Sequence, residues 1–321
     1  MTTLSIVYVM FNEFDLIQKS LASVYNEKII NAEIIIIDNS TDKDGYKKVL
    51  KKFPKVKYFQ NKLDLGFAKA VNIGIKKAKG EYILVIFPDM YVLPGTIIKT
   101  LKYIIINPQV GLLGCKAYSR KSVSELSVYK RYPNLLTQLF YFNMPLYKLL
   151  NRFFPDFHPT FYTKEEHQKI IHSAILSGVY HLARKKALSD VGFYDEDFFY
   201  AFEDLDLCMK MKKKGWDIVY LPVGGIVQNG IGDWKKTRIS QSMPIYLESQ
   251  YKFFRKNYGK TYTIIAWLVA LVSSAVTIPY LFLVSNLKTI FNINSQSTEL
   301  LPLWIKILKW HLFSGLKATF S

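Results

Sequence analysis

The stretch FFYAFEDLDLCMKMKKKGW, residues 198–216, concentrates acids in a chain that is otherwise strongly basic. The protein carries 43 Lys and Arg against 25 Asp and Glu, a formal net charge of +18. Yet seven of the acids fall between positions 190 and 206: Asp190, Asp195, Glu196, Asp197, Glu203, Asp204 and Asp206. Part of this is ordinary helix electrostatics, because EDLDLCMKMKKKG runs from acids to Lys210, Lys212, Lys213 and Lys214 before a Gly stop, the order that a helix macrodipole favours. That account suits Asp206. It does not explain why Phe198, Phe199, Tyr200 and Phe202 precede Glu203 and Asp204. Carboxylates set among aromatics are desolvated, which raises their pKa toward that of a useful general base.

The elements that would position such a base alternate in type. Short apolar runs bounded by turn signals recur as LSIVYVMF, EIIIID, VKYFQN, YILVIFPD and VGLLGC, with helix-period segments at 16–25, 46–53, 67–79 and 96–106 between them. This pattern predicts an α/β fold with a mostly parallel central sheet buried on both faces. Such sheets bind ligands beyond the carboxyl ends of their strands. The residues closing the runs are Asn12 and Glu13, Asp38 and Asn39, Asn61, then Pro88 and Asp89. Each is also a common turn former or helix cap. No G-x-G-x-x-G follows the first strand and no P-loop pattern is present, so a dinucleotide or NTP site of those types is not expected.

At 321 residues the chain has room for one large α/β domain and an appendage. Its two cysteines, Cys115 and Cys208, offer neither CxxC spacing nor a disulfide framework, which suits a reducing compartment. The start, MTTLSIVYVMFNEFD, lacks a basic n-region and a small-residue cleavage site, so it reads as a first strand that stays in the cytosol. The basic charge is spread along the chain without zinc-finger, basic-zipper or RNA-binding signatures, so nucleic acid is not the expected partner. Attraction to anionic lipid is the alternative, and the C-terminal third supports it. Residues 261–286 carry no charge and are long enough for a bilayer span, with Pro279 leaving room for a kinked or re-entrant segment. Beyond them, LPLWIKILKWHLFSGLK places Trp304, Trp310 and Phe313 with Lys306, Lys309 and Lys317 in a pattern expected of an interfacial helix. Lys252, Arg255, Lys256 and Lys260 precede the apolar run, and only Lys288 follows it before Lys306, which predicts a cytosolic catalytic side. The expected division is a catalytic domain over 1–259 and a membrane-associated tail over 260–321. Residues 119–172, rich in Phe, Tyr, Lys and Arg, form an insertion within the first, either packed on the core or serving as an acceptor cover or membrane lip.

Four segments, VMFNE, IIIIDNSTDKDG, LGFAKAVNIGIKKAKGEYILVIFPDMYVLPG and SGVYHLARKKALSDVGFYDEDFFYAFEDLDLCMKMKKKGW, followed by LESQYKFFRKNYG, resemble in order and spacing the inverting nucleotide-sugar glycosyltransferases of family 2, in their rhamnosyltransferase-like branch. The resemblance implies a GT-A fold. It implies a donor site drawn from Asn12, Glu13, Asp38, Asn61, Gly66, Asn72 and Asp89. In it Asp38 reads the pyrimidine or its ribose, and Asp89 holds Mg2+ or Mn2+ on the diphosphate of a dTDP- or UDP-sugar. It implies that Asp204 of EDxDL, with Glu203 alongside, takes the proton of an acceptor hydroxyl on a lipid-linked saccharide or polysaccharide at the cytoplasmic face of the cell membrane. Two departures stand out. Many relatives carry His where this chain has Gln228, a doubtful metal ligand, and their usual N-L-G-F-A begins here with Asp64. A sugar-1-phosphate nucleotidyltransferase shares a similar sheet but would carry a Gly-rich, basic N-terminal loop that VMFNEFD lacks. A degenerate membrane scaffold would have only Gln228 in its favour.

Overall fold

The computed structural model describes residues 3–42, 44–119, 128–129, 131–154, 166–228, 234–290, 296–315 and 317. Much of the 119–172 insertion (120–127, 130 and 155–165) and residues 229–233, just past Gln228, lie outside the described residues. Two compact units form: Met1–Lys130 with Tyr162–Trp234, and Arg131–Phe161 with Lys235–Ser321.

The chain opens with β1 (Leu4–Met10), α1 (Phe14–Asn26), β2 (Ala32–Asp38), α2 (Tyr46–Lys52), β3 (Lys57–Gln60), α3 (Phe67–Lys77), β4 (Tyr82–Ile86), β5 (Met90–Val92), α4 (Thr96–Ile106), β6 (Val110–Ser119) and β7 (Val128–Tyr129). Next come α5 (Leu135–Phe142), α6 (Met144–Phe153), β8 (Ile175–Leu176), β9 (Tyr180–Arg184), α7 (Lys185–Asp190), α8 (Glu203–Lys213) and β10 (Asp217–Gln228). The long helices α9 (Trp234–Tyr258), α10 (Lys260–Ile290) and α11 (Gln296–Trp310) follow.

In the first unit an eight-stranded sheet runs β3-β2-β1-β4-β9-β6-β10-β5. Strands β1 to β4 pair in parallel, with Leu4 opposite Ala32 and Met10 opposite Asp38. Their side chains Ile6, Tyr8, Ile36, Leu84 and Ile86 have no exposure, as expected for a sheet covered on both faces. After β1 the chain moves outward to β2 and β3 and then returns to the other side of β1 as β4, so the order reverses at β1, the kind of point at whose carboxyl strand ends open α/β sheets bind ligands. Antiparallel β9 separates β4 from β6, and antiparallel β5 closes the far edge on β10. Strand β10 changes register between Leu221 and Ile226, where Gly224 and Gly225 take φ of 60° and 148°. The bulge lets one strand pair with β6 along its length and with β5 at its end, bringing Gln228 opposite Met90.

The second unit is helical, and α10 is turned inside out relative to a helix of a water-soluble core. Its buried face is Thr263, Ala266, Ala270, Ser273, Ser274 and Thr277 with Leu281, whereas Ile265, Leu268, Val272, Val276, Phe282 and Leu283 are exposed. Among the described residues α10 supplies the one helix, Lys260–Asn286, long and apolar enough to cross a membrane, and it runs through Pro279 without a break. Helix α5 lies along it in the same direction. The Leu135 N–H donates to Tyr262 Oη at 2.9 Å, and at the other end Thr277 Oγ1 donates to the Phe142 carbonyl at 2.8 Å and accepts from the Met144 N–H at 3.0 Å. Helix α11 returns antiparallel: Trp304 meets Phe142 edge-on at 6.1 Å, and the His311 carbonyl accepts from Trp267 Nε1 at 3.0 Å. Thr277 thus satisfies two backbone groups at the α5–α6 corner. Thr277→Val is expected to destabilise the purified chain by ~1–3 kcal/mol, the cost of stranding buried polar groups. Thermal unfolding should show a lower Tm for Thr277→Val and a near-normal Tm for Thr277→Ser; an unchanged Tm for the valine variant would mean that the corner is held otherwise.

Candidate active site

The carboxyl ends of the strands are tied together by side chains of the residues that close them. Asp38, fully buried at the end of β2, accepts from the Ser40 N–H at 2.8 Å through one oxygen and from the Tyr58 hydroxyl through the other. Burial, with the Asp38 carboxylate beside it, pushes the Tyr58 hydroxyl far above its ordinary pKa, so it stays a donor. Asn39 joins three elements: Oδ1 accepts from Asn61 at 2.7 Å, while Nδ2 donates to Asp64 at 2.9 Å and to the Gly66 carbonyl at 3.1 Å. The Asn61 N–H donates in turn to the Asp38 carbonyl at 2.8 Å. After β1, Asn12 takes a left-handed φ of 57°. Its N–H donates to Ser40 Oγ at 2.7 Å, and its amide reaches Thr41 and the Asp42 N–H. Glu13 precedes α1 and its carbonyl accepts the Ile17 N–H at 3.0 Å. Asp64, where the resemblance implied a neutral residue, accepts the Gly66 N–H at 2.9 Å and so has a local job in the loop.

Gly66 opens α3 at φ 75°, and a Cβ placed there would lie 2.6 Å from the Phe199 carbonyl oxygen. The neighbouring Phe67 N–H donates to that same oxygen at 3.0 Å. Deeper in α3, Asn72 is 3% exposed; its Oδ1 accepts the Tyr194 N–H at 3.1 Å, and Nδ2 donates to the Tyr194 carbonyl at 2.9 Å and to Glu196 at 3.0 Å. The structure therefore brings both residues to the loop 193–202: Asn72 holds its backbone by hydrogen bonds, and Gly66 permits the close approach of the Phe199 carbonyl.

That loop ends with Ala201 and Phe202 at φ 64° and 70°, two successive left-handed residues without the freedom of glycine. Helix α8 begins at once with Glu203. Asp204 is half-buried; one oxygen accepts the Gly178 N–H at 2.8 Å and the other its neighbour Leu205 N–H at 2.8 Å. Gly178 also packs beside Phe87, whose ring would lie 3.8 Å from a Cβ at 178, with the Asp204 Cβ at 3.4 Å. The FPD turn after β4 and the EDLDL helix start therefore converge on one glycine. Burial holds the carboxyl groups of both Glu203 and Asp204 above the ordinary range, and their mutual repulsion adds to it at Glu203. Glu203 is 4% exposed and its Oε2 has no hydrogen-bond partner. Asp206, with no exposure, faces Lys210 one turn on at 3.8 Å, in line with its helix role.

Around this pair lies an aromatic layer that motif reading did not single out. Phe67 meets Phe87 and Tyr194 edge-on, and the Tyr194 hydroxyl lies 2.8 Å from His181 Nδ1. Burial depresses His181 to about 4, so it is neutral at pH 7. Strand β9 is buried on both faces, with Tyr180, His181, Leu182 and Ala183 all enclosed, so no alternation in the sequence marks His181. Phe199 and Tyr200 remain exposed ahead of the acids.

On the other flank Gln228 Nε2 donates to Asp89 Oδ2 at 2.9 Å, a contact created by the β10 bulge and the β10–β5 pairing. Burial raises the Asp89 carboxyl above its ordinary value, with Gln228 opposing. Among the described residues no group of three His, Cys, Asp or Glu could hold a metal. The Asp89 carboxylate suits a hard cation of the Mg2+ type, which takes few protein ligands when a diphosphate and waters complete its shell, whereas Gln228 turns its NH2 to Asp89 and would ligate only with its amide reversed.

The profile of Glycosyl transferase family 2 matches residues 5–192, and that of Glycosyl transferase family group 2 matches residues 137–313. The chain is 25% identical over 242 residues, 70% of its length and 76% of the relative's, to an N-acetylglucosaminyl-diphospho-decaprenol L-rhamnosyltransferase of Mycobacterium tuberculosis. It is 25% identical over 229 residues to a poly-beta-1,6-N-acetyl-D-glucosamine synthase of Staphylococcus epidermidis, covering 68% of the chain and 48% of that protein. In fold it is similar to a mannosyltransferase from Pyrobaculum calidifontis solved with GDP-Man and Mn2+ (TM-score 0.55, 15% identity, 97% of this chain and 87% of that one). It is similar also to GalNAc-T7 solved with UDP, GalNAc and Mn2+ (TM-score 0.58, 15% identity, 98% and 56%). The expected GT-A fold is thereby shown. A family profile covering residues 5–192 of 321 leads to one conclusion: the chain belongs to glycosyl transferase family 2 and is a glycosyltransferase.

Proposed function

We propose that the protein transfers rhamnose or a related hexose from a dTDP- or UDP-linked donor to a lipid-linked saccharide or polysaccharide, inverting the anomeric centre. The observation that carries this reading is the convergence on Gly178. The backbone N–H there fixes one oxygen of Asp204, and Phe87 at the same spot leads into Pro88 and Asp89. Displacement needs a base and a stabilised leaving group side by side. The acceptor oxygen bonds to the anomeric carbon, its proton passes to Asp204, and the bond from that carbon to phosphate oxygen breaks with the electron pair leaving on the nucleoside diphosphate. A raised carboxyl pKa makes Asp204 a stronger base than a solvated aspartate. Mg2+ or Mn2+, held by Asp89 and Gln228 together with the diphosphate, would neutralise charge on that leaving group. Phe199 and Tyr200 offer faces to an acceptor sugar. The membrane part of the reading rests on the apolar outward face of α10 and places the catalytic unit at the cytoplasmic surface, where a tethered enzyme sees lipid-linked acceptors at high effective concentration. The named substrates of the mycobacterial and staphylococcal relatives support an envelope saccharide as acceptor.

The reading is tested by incubating membranes with a panel of dTDP-, UDP- and GDP-sugars and following nucleoside diphosphate release; a preference for dTDP- or UDP-hexose is expected, and preference for a GDP-sugar would overturn the donor assignment. Asp204→Asn should lower kcat by ~10²-fold or more with donor Kd nearly unchanged, as for loss of a general base. Near-normal turnover would remove Asp204 from the mechanism.

Asp89→Ala should abolish the cation-dependent part of donor binding, and Gln228→His should tighten Mn2+. Full activity in EDTA would sink the metal assignment.

Glu203 gives a pH test. Its folded-state pKa lies above the unfolded one, so the folded form holds the proton more tightly and stability falls as pH rises from ~4.3, the ordinary Glu value, through the raised value. Glu203→Gln should therefore melt above the parent at alkaline pH, with the gap closing as pH drops below about 4. A gap that does not change with pH would show that Glu203 titrates as an ordinary surface acid.

A further inference from the structure

We propose that the second unit is a monotopic membrane body: α10 lies in the plane of one anionic leaflet, with α11 and the α5–α6 pair beside it, and does not cross the bilayer. The inference rests on the membrane part of the proposed function and goes beyond it in topology. Composition alone makes α10 a candidate span, and its inverted faces, with Ser273, Ser274 and Thr277 inside and Ile265, Leu268, Val272 and Val276 outside, call for an apolar medium against the outer stripe. Its packed neighbours exclude a perpendicular path. Exposed Lys306 and Lys309 fall in the chain between Trp304 and His311. Trp304 packs on Phe142, whose carbonyl Thr277 holds, and the His311 carbonyl takes the Trp267 N–H. Both lysines therefore flank the middle of the 27-residue apolar stretch, between the levels of Trp267 and Thr277. In a perpendicular span they would sit near the centre of a hydrocarbon layer ~30 Å thick, about 15 Å from either headgroup region and beyond the reach of a lysine stem. A third cation lies beyond the midpoint, toward the far end of α10, because exposed Lys148 stands 5.5 Å above the Tyr280 ring with Arg152 four residues on.

Cations at the middle and toward the far end of α10 suit a helix lying flat, its stripe in the acyl region and its basic neighbours at headgroup level. The partner this surface fits is a bilayer rich in acidic lipid. One consequence is topological. Since α11 runs back along α10 to Trp267, the segment at 311–315 lies on the same side as the start of α10, and so does the end of α10 itself.

Thr261, Asn286 and Ser314 are exposed, and both native cysteines are buried. Thr261→Cys, Asn286→Cys and Ser314→Cys in the full chain can therefore be labelled with a membrane-impermeant maleimide in inside-out and right-side-out vesicles. All three should react from the same face. Reaction of Asn286→Cys from the opposite face, or from neither, would overturn the proposal. In cosedimentation, Lys306→Gln with Lys309→Gln should weaken binding to phosphatidylglycerol-containing vesicles by about 30-fold and leave binding to neutral phosphatidylcholine vesicles unchanged. Val272→Asp should weaken both. Equal losses on both lipids for the lysine pair, or no cosedimentation of the parent chain, would also overturn it. None of these readouts requires turnover, so their failure is separable from failure of the transfer chemistry, which the Asp204→Asn kinetics judge.

Discussion

The arrangement of the candidate active site depends on the clamp between α3 and the loop 193–202. Asn72 exchanges both hydrogen bonds with the Tyr194 backbone, and the Phe67 N–H takes the Phe199 carbonyl against Gly66. With both points fixed, Ala201 and Phe202 have little option but the left-handed region, and the chain enters α8 with Glu203 turned into the core and Asp204 toward Gly178. The strain at two non-glycine residues is over-determined by contacts on either side, the usual condition for its persistence beside a working group.

Two different uses of buried charge meet at this point. Asp38 is satisfied from within by Ser40 and Tyr58, so it organises the strand ends. Glu203 is buried with an oxygen unsatisfied, and its burial loads a proton onto the pair it forms with Asp204. One carboxylate has a donor for each oxygen and the other does not, and that difference in the donors the fold supplies separates their electrostatics.

Much of the first half of the fold was legible in the sequence, because parallel strands buried on both faces read as uninterrupted apolar runs and their closing residues stand out. Asp38, Asn39, Asn61 and Asp89 could be placed at strand ends from that pattern alone. The direction of β9 could not, since YHLAR looks the same in either pairing sense and its neighbours come from distant chain. Nor could the partners of Asn72 and Gly66, whose contacts join segments more than a hundred residues apart. The local partner of Asp64, the Gly66 N–H two residues on, was likewise not visible in the motif. In the helical unit, apolar length was visible and the neighbours packed along α10 were not.

The position of β9 has a consequence for biosynthesis. It lies between β4 and β6, yet Tyr180 follows Ser119, the end of β6, by 61 residues. At a synthesis rate of ~5–20 residues per second, β4 and β6 wait several seconds with unpaired edges before the strand that joins them emerges. During that interval the nascent sheet is in two pieces, and two buried strands present open ladders to any other chain nearby. Expression conditions that slow elongation across residues 120–180 lengthen this exposure, and with it the time in which the nascent chain can pair wrongly.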